Sequence, residues 1–192
     1  MNVALQKPWT QEQFFTWAAG REGRYEFDGV QPVAMTGGTV NHGIIMRNLH
    51  RALDVRLRGS RCQPLGPDVG VAMGGNAIRY PDALVTCATL NGTDRTVPDV
   101  VVIFEIVSPS SGRVDRIVKL REYAGVASIL RYIIIESVTS GALVLHRRSG
   151  QDPWTALALT SEDVLELPEI ATQIPVAAFY EGVDFAASGA EQ

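Results

Sequence analysis

The stretch Pro98-Asp99-Val100-Val101-Val102-Ile103-Phe104-Glu105-Ile106-Val107-Ser108 decides how this chain is read. Five apolar residues lead to Glu105 and two follow it. A run so short, apolar and rich in β-branched residues reads as a strand buried on both faces. An unpartnered ionised carboxylate is costly in such a strand, so Glu105 has to be protonated, paired with a cation or bound to a metal. A salt bridge at an exposed strand end would satisfy it as well as a functional role, and this residue alone does not choose.

A metal site needs a second acid. Asp99 is near in sequence, but the six residues to Glu105 span about 20 Å of strand, and Mg²⁺ holds its oxygen ligands at about 2.1 Å. Asp99 therefore reads as a cap on the strand's start. A neighbouring strand must supply the partner, and Tyr80-Pro81-Asp82-Ala83-Leu84-Val85 offers Asp82. Pro81 stands there at a position where a missing ladder donor is tolerated. Without Glu105, Asp82 would pass for an ordinary strand-start aspartate.

Outward from this pair, helical and strand patterns mix. Thr10 to Ala19 predicts a helix with Thr10 as N-cap, Gln13 at the capping-box position and Gly20 as stop. Arg24 to Met35 predicts a hairpin about Asp28-Gly29. After the Gly37-Gly38 break, Ile45, Leu49, Leu53 and Leu57 recur every four residues in a helix from Asn41 to Arg58, closed by Gly59. Strands follow between Arg61 and Thr89, then a helix from Ser110 to Gly125 and strands at Ile129–Glu136, Ala142–Arg147 and Trp154–Leu159. Pro175 to Tyr180 reads as a short closing helix and Ala186 to Gln192 as a flexible tail. The order is neither strictly alternating nor segregated. It predicts an α/β (α+β) fold, a central mixed β-sheet flanked by two main α-helices, in one domain over residues 1–185.

Composition sets the outer limits. The 192 residues are 46% hydrophobic, which excludes a disordered chain. No apolar run approaches the roughly 20 residues of a membrane span, and the start lacks a signal peptide's apolar stretch. Cys62 and Cys87 form no CxxC pair and no disulfide framework, so a reducing cytoplasm is the expected compartment. Seventeen Lys and Arg against twenty-one Asp and Glu give −4 and a pI near 5.4. That balance argues mildly against nucleic acid, whose partners are usually basic. No Walker phosphate loop, zinc spacing or Gly-x-Ser-x-Gly elbow is present.

An Asp on one strand and a Glu on the next resemble the PD-(D/E)XK nuclease superfamily. The chain resembles one branch of it, the Uma2 family of restriction-endonuclease-like proteins. The resemblance rests on Tyr25-Glu26-Phe27-Asp28-Gly29, Met35-Thr36-Gly37, His42, Asn48-Leu49 and Pro81-Asp82. It continues through Pro98-Asp99, Glu105-Ile106-Val107-Ser108-Pro109-Ser110-Ser111, Asp115-Arg116, Lys119 and Tyr123-Ala124. The resemblance implies a restriction-endonuclease-like core and a metal-dependent endonuclease acting on DNA as a homodimer. Asp82, Glu105 and the Ile106 carbonyl would hold Mg²⁺ or Mn²⁺, oxygen donors being what these ions prefer. Glu26 would orient water or hold a second ion.

The chain departs from the motif at its lysine, since Val107 stands two residues after Glu105. Val126 to Ile135 also lacks the family's acidic-aromatic pattern there. Lys119 is the implied replacement, and the alternative for it is a routine i,i+4 surface pair with Asp115. His42, Arg113 and Arg116 are weaker candidates for contact with nucleic acid. The missing lysine keeps a second function class open, a catalytically silent binding or assembly protein, and a hydrolase of another phosphate ester is a third. Setting Glu26, Asp82 and Glu105 aside as metal ligands brings the charge close to neutral.

Overall fold

The computed structural model describes residues 8–108 and 113–185, and of residues 113–116 only the backbone. Its elements, in chain order, begin with α1 (Gln11–Ala18), β1 (Tyr25–Phe27), β2 (Pro32–Ala34) and α2 (Val40–Leu57). Next come β3 (Gln63–Leu65), β4 (Val71–Ala72), β5 (Ile78–Arg79), β6 (Ala83–Thr86) and β7 (Val100–Val107). The chain continues with α3 (Arg113–Ala124), β8 (Arg131–Glu136), β9 (Ala142–His146), β10 (Thr155–Leu159), β11 (Val164–Leu167) and β12 (Thr172–Pro175), and a 3-10 turn at Val176–Tyr180 follows. This is the expected α+β architecture.

The run around Glu105 is β7, and it lies inside a six-stranded sheet ordered β10-β9-β8-β7-β6-β3. It pairs antiparallel with β6 and parallel with β8, and the other pairs of that sheet are antiparallel. A parallel neighbour cannot be reached by a hairpin, so the chain crosses over between β7 and β8, and α3 lies in that crossover.

Alternation along β7 divides the core between two helices. Val102, Phe104 and Ile106 face α2, packing with Ile45, Leu49, Leu53 and Leu57. Burying each such aliphatic side chain contributes about 1.5–3 kcal/mol, while the Thr39 cap adds about 1. Burial therefore sets where α2 lies. Ile103 and Val107 face the other way, joining Tyr123 and Leu120 of α3, Tyr132 and Ile134. Glu105 shares that second face.

A second sheet, β2-β1-β5-β4, carries α1 on a small core of Phe14, Phe27 and Ile78. Its α1 has the predicted capping box, with Thr10 and Gln13 bonded reciprocally. The hairpin turn is also as expected: Asp28 Oδ1 accepts from Val30 and Gln31, and Gly29 (φ +92°) passes so near Gly75 that a Cβ would lie 2.7 Å from its carbonyl. Only three residues, Tyr80 to Asp82, join β5 to β6, so the two sheets meet at the segment that carries Asp82.

Three expectations change. Cys62 and Cys87 are bonded in a disulfide, although their spacing suggested none. The reason is register: β3 and β6 pair Gln63 with Thr86, which sets the flanking cysteines opposite one another. Cysteine usage thus gives no support for a reducing compartment. The closing helix is a 3-10 turn, tied to α2 by the buried Asn48, which donates to Phe179 O (3.0 Å) and Glu181 O (2.9 Å). The ribbon β11–β12 was not foreseen, being two four-residue strands around Pro168. The tail 186–192 and residues 109–112, where the second long helix was expected to start, lie outside the described residues. Among the described residues no helix is long and apolar enough to cross a membrane.

The C-terminal end of α3 is fixed by Arg147. Its guanidinium donates to the carbonyls of Ala124 (3.0 Å), Val126 (2.5 Å), Ile129 (2.8 Å) and Gly150 (3.0 Å), and stacks 4.6 Å over Trp154. A cation at a helix C-terminus also favours the dipole. Arg147→Met would remove four hydrogen bonds, the one to Ile129 O buried, and we expect a loss of about 3 kcal/mol in urea unfolding. A loss below about 0.5 kcal/mol, the range of an ordinary surface change, would remove this role.

Candidate active site

Five elements and the link from β5 to β6 converge on one cleft. Continuing the β6–β7 register past Ala83 and Phe104 brings Asp82 opposite Glu105. Lys119, Glu122 and Tyr123 come from α3, Glu26 from β1 and Arg79 from β5. His42 and His50 reach in from α2. A cavity of about 310 Å³ is lined by Glu26, Asp82, Glu105, Lys119, His42 and Tyr132. A second, of about 450 Å³, shares His42, Asp82 and Ile106 and extends along Thr36 to Thr39 and Ser108.

Each carboxylate is held differently. Asp82 Oδ2 accepts the Ile106 N–H at 2.7 Å, and Oδ1 lies 3.2 Å from His42 Nε2. His50 Nε2 lies 2.9 Å from the Asp82 carbonyl, so α2 holds this residue at main chain and side chain. Glu105 Oε1 accepts from Tyr123 Oη at 2.7 Å and from Lys119 Nζ at 3.2 Å. Lys119 Nζ also lies 3.5 Å from Glu26 Oε1. Arg79 grips Glu122 with Nε (2.6 Å) and Nη2 (2.9 Å) and reaches Glu26 Oε2 with Nη1 (3.0 Å).

Burial governs the electrostatics. Removal from water pushes the Glu105 carboxyl up to about 7, against the pull of Lys119 and with the Asp82 charge adding to the rise. Tyr123 is raised well above its ordinary value, first by burial and then by the Glu105 charge, so it remains a donor. The hydrogen bond to Asp82 raises His42, outweighing the opposite effect of burial. Arg79 is held above its ordinary value because the carboxylates of Glu122 and Glu26 outweigh its burial, the largest single effect.

The donor chemistry suits a hard divalent cation. Asp82, Glu105 and the Ile106 carbonyl offer oxygens, as Mg²⁺ and Mn²⁺ prefer. Among the described residues, Glu26, Glu105 and Glu122 share Arg79 and Lys119 as cations. Among the described residues no group of three His, Cys, Asp or Glu side chains is arranged around a metal position. Two carboxylates and a carbonyl form a smaller set, the kind Mg²⁺ completes with water and substrate phosphate.

Of the residues singled out in the sequence, the structure brings Glu26, Asp82, Glu105, Lys119 and His42 together. Lys119 turns inward to Glu105 and Glu26 instead of standing on an exposed helix face, and its side chain is 14% exposed. Ile106 meets Asp82 through its N–H. The side chains of Arg113, Asp115 and Arg116 lie outside the described residues. Arg79, Glu122, Tyr123 and His50 were not foreseen as parts of the site. A buried Arg on a two-residue strand gives no periodic signal, although Glu122 at i+3 from Lys119 was there to be noticed. Gly38 also has a reason beyond breaking the chain: a Cβ there would lie 2.7 Å from His42 Cγ.

This chain belongs to the Uma2 family, described as "Putative restriction endonuclease", which matches residues 11–177. It is similar to the uncharacterized protein slr1290 of Synechocystis sp. (strain ATCC 27184 / PCC 6803 / Kazusa), with 30% identity over 179 residues, 91% of this chain and 92% of that protein. Its fold is similar to a crystal structure described as "a putative nuclease belonging to DUF820" from Anabaena variabilis ATCC 29413. That likeness has a TM-score of 0.67 at 12% identity and covers 91% of this chain and 98% of the other. Family and fold together are those of a restriction-endonuclease-type protein.

The raised Glu105 has a consequence for stability. Below about pH 4.5 it is protonated folded and unfolded; between there and about 7 the unfolded chain gives up its proton first, so stability falls as pH rises. The full deficit above pH 7 is at most on the order of 3 kcal/mol. Glu105→Gln is therefore expected to melt above the wild type at pH 8, with the gap narrowing toward pH 5. A gap of the same size at both pH values would rule out a charged, desolvated Glu105 as its source.

Proposed function

We propose that this chain, as a single domain over residues 1–185, is a metal-dependent endonuclease that hydrolyses phosphodiester bonds in DNA. The observation that carries this reading is the adjacency of Asp82, one residue before β6, to Glu105 on the paired strand β7, with Lys119 Nζ 3.2 Å from Glu105. Asp82, Glu105 and the Ile106 carbonyl would hold Mg²⁺ or Mn²⁺. When bound, the ion supplies charge neutralisation at the scissile phosphate and a lowered pKa for the attacking water.

The protein's own groups would do the rest. Lys119 would stabilise charge on the phosphate, the role that Val107 cannot fill at the motif position. His42, bonded to Asp82, would fix the orientation of that carboxylate, and Tyr123 would do the same for Glu105. A phosphodiester strand would run along the second cavity, past Thr36 to Thr39. The inward Lys119 favours this reading over a catalytically silent one. Cleaving both strands with one site per chain calls for two copies, and sedimentation at micromolar concentration is expected to show a dimer.

Purified protein should nick supercoiled plasmid with Mg²⁺ or Mn²⁺ and stop with EDTA. Asp82→Ala, Glu105→Ala and Lys119→Ala should each lower the rate at least about a hundredfold. Retention of full activity in Asp82→Ala and Glu105→Ala would remove the assignment. Hydrolysis of small phosphodiesters without plasmid nicking would reassign the chain to another class of phosphate ester.

A further inference from the structure

Glu26 and Glu122 bracket a position that already holds a cation. Arg79 sits between them with its side chain 5% exposed, giving Glu122 two parallel N–H bonds and Glu26 a third. Glu26 has both oxygens engaged: Oε2 by Arg79, and Oε1 by the Tyr80 N–H (3.3 Å) and Lys119 (3.5 Å). By contrast, the two bonds to Glu105 from Tyr123 and Lys119 fall on the same oxygen, Oε1.

We propose that Arg79 permanently fills, between Glu26 and Glu122, the place a second metal ion would take, so that this is a one-ion centre in which Arg79 and Glu26 are positioning residues for Lys119. The proposal rests on the reading of Asp82 and Glu105 as the metal ligands.

The argument is geometric and energetic. A divalent ion at Glu26 and Glu122 would have to displace the guanidinium, leaving a buried charge without acceptors, a heavily disfavoured state. Arg79 has little freedom to leave, because β5 is an interior strand of its sheet, paired with β1 and β4. The planar fork matches a carboxylate bidentately, which fixes direction as well as distance. Glu122 and Lys119 are three apart on α3, hence on one face. Gripping Glu122 therefore sets the rotation of the helix that aims Lys119 at Glu105, while Glu26 draws the ammonium from the other side. Arg79 is also only three residues before Asp82, so one short segment ties lysine and metal ligand together.

Mn²⁺ titration calorimetry, the spectrum of the bound Mn²⁺ and plasmid-nicking kinetics test this with near-isosteric variants. The wild type is expected to bind one Mn²⁺ per chain with an uncoupled spectrum, lost in Asp82→Ala. Glu26→Gln and Glu122→Gln should keep one ion at unchanged Kd, while kcat falls at least about tenfold with little change in KM. Arg79→Lys, which keeps the charge but not the fork, should behave alike; a merely structural role would lower Tm and leave kcat of the folded variants intact. Two ions in the wild type, one of them lost in Glu26→Gln or Glu122→Gln, overturn the proposal and leave the nuclease reading standing. Loss of the single ion in Glu26→Gln, or an unchanged kcat in Glu26→Gln and Glu122→Gln, also overturns it. A wild type that binds no Mn²⁺ removes the metal reading of Asp82 and Glu105, and this proposal with it.

Discussion

A carboxylate inside the central strand needs partners that its own sheet cannot provide. β7 is bordered by β6 and β8 and flanked by apolar residues, so donors to Glu105 must come from the layer above the sheet. Tyr123 and Lys119 reach it from α3, which places that helix over this point of the strand. Tyr123 is in turn packed against Tyr132 of β8, ring centroids 4.9 Å apart. A buried charge of this kind stabilises little in itself, yet removing one partner is strongly destabilising. The Glu105 contacts thus act as a constraint on the position of α3 more than as a source of stability.

The small sheet has meaning in the same terms. Its own core is slight, three fully buried residues, and would not stabilise a unit alone. What it contributes is placement: β1 presents Glu26 and β5 presents Arg79 to the same face of α3. The Arg79 network and the Arg147 clamp hold the last turn of that helix at two residues, Glu122 and Ala124. Lys119 lies between a fixed strand and a fixed helix, the kind of support a precisely aimed charge requires.

The large elements were legible because hydrophobic period reports them. The four-residue repeat from Ile45 to Leu57 and the apolar run of β7 leave few alternatives, and both lie where the sequence suggests. Asp82 and Glu105 were legible for a related reason: each is polar in a segment that should not be. Arg79 and Glu122 carried no such mark, since Arg79 lies on a strand of two residues and Glu122 in a helix already rich in charge. The disulfide was hidden because its residues are opposed by strand register, which spacing in sequence does not encode. The charged centre depends on three-dimensional convergence, and only its two strand carboxylates could be read one residue at a time.

The net charge of −4 takes on a different meaning once the charges are located. Setting aside the carboxylates of the site suggested a surface near neutrality, but cations lie inside as well. Arg79 and Lys119 are in the site, Arg147 is held by carbonyls, and Arg131 is paired with Glu169 in a pair only 12% and 8% exposed. The interior therefore takes up cations almost as fast as it takes up acids, and the exterior keeps most of the deficit. Phosphate contacts spread over a basic surface are not how such a protein would hold nucleic acid. On the proposed nuclease reading, an encounter with a phosphodiester is decided within the cleft, by the proposed divalent ion and Lys119, where low exposure makes each charge count for more than it would in water.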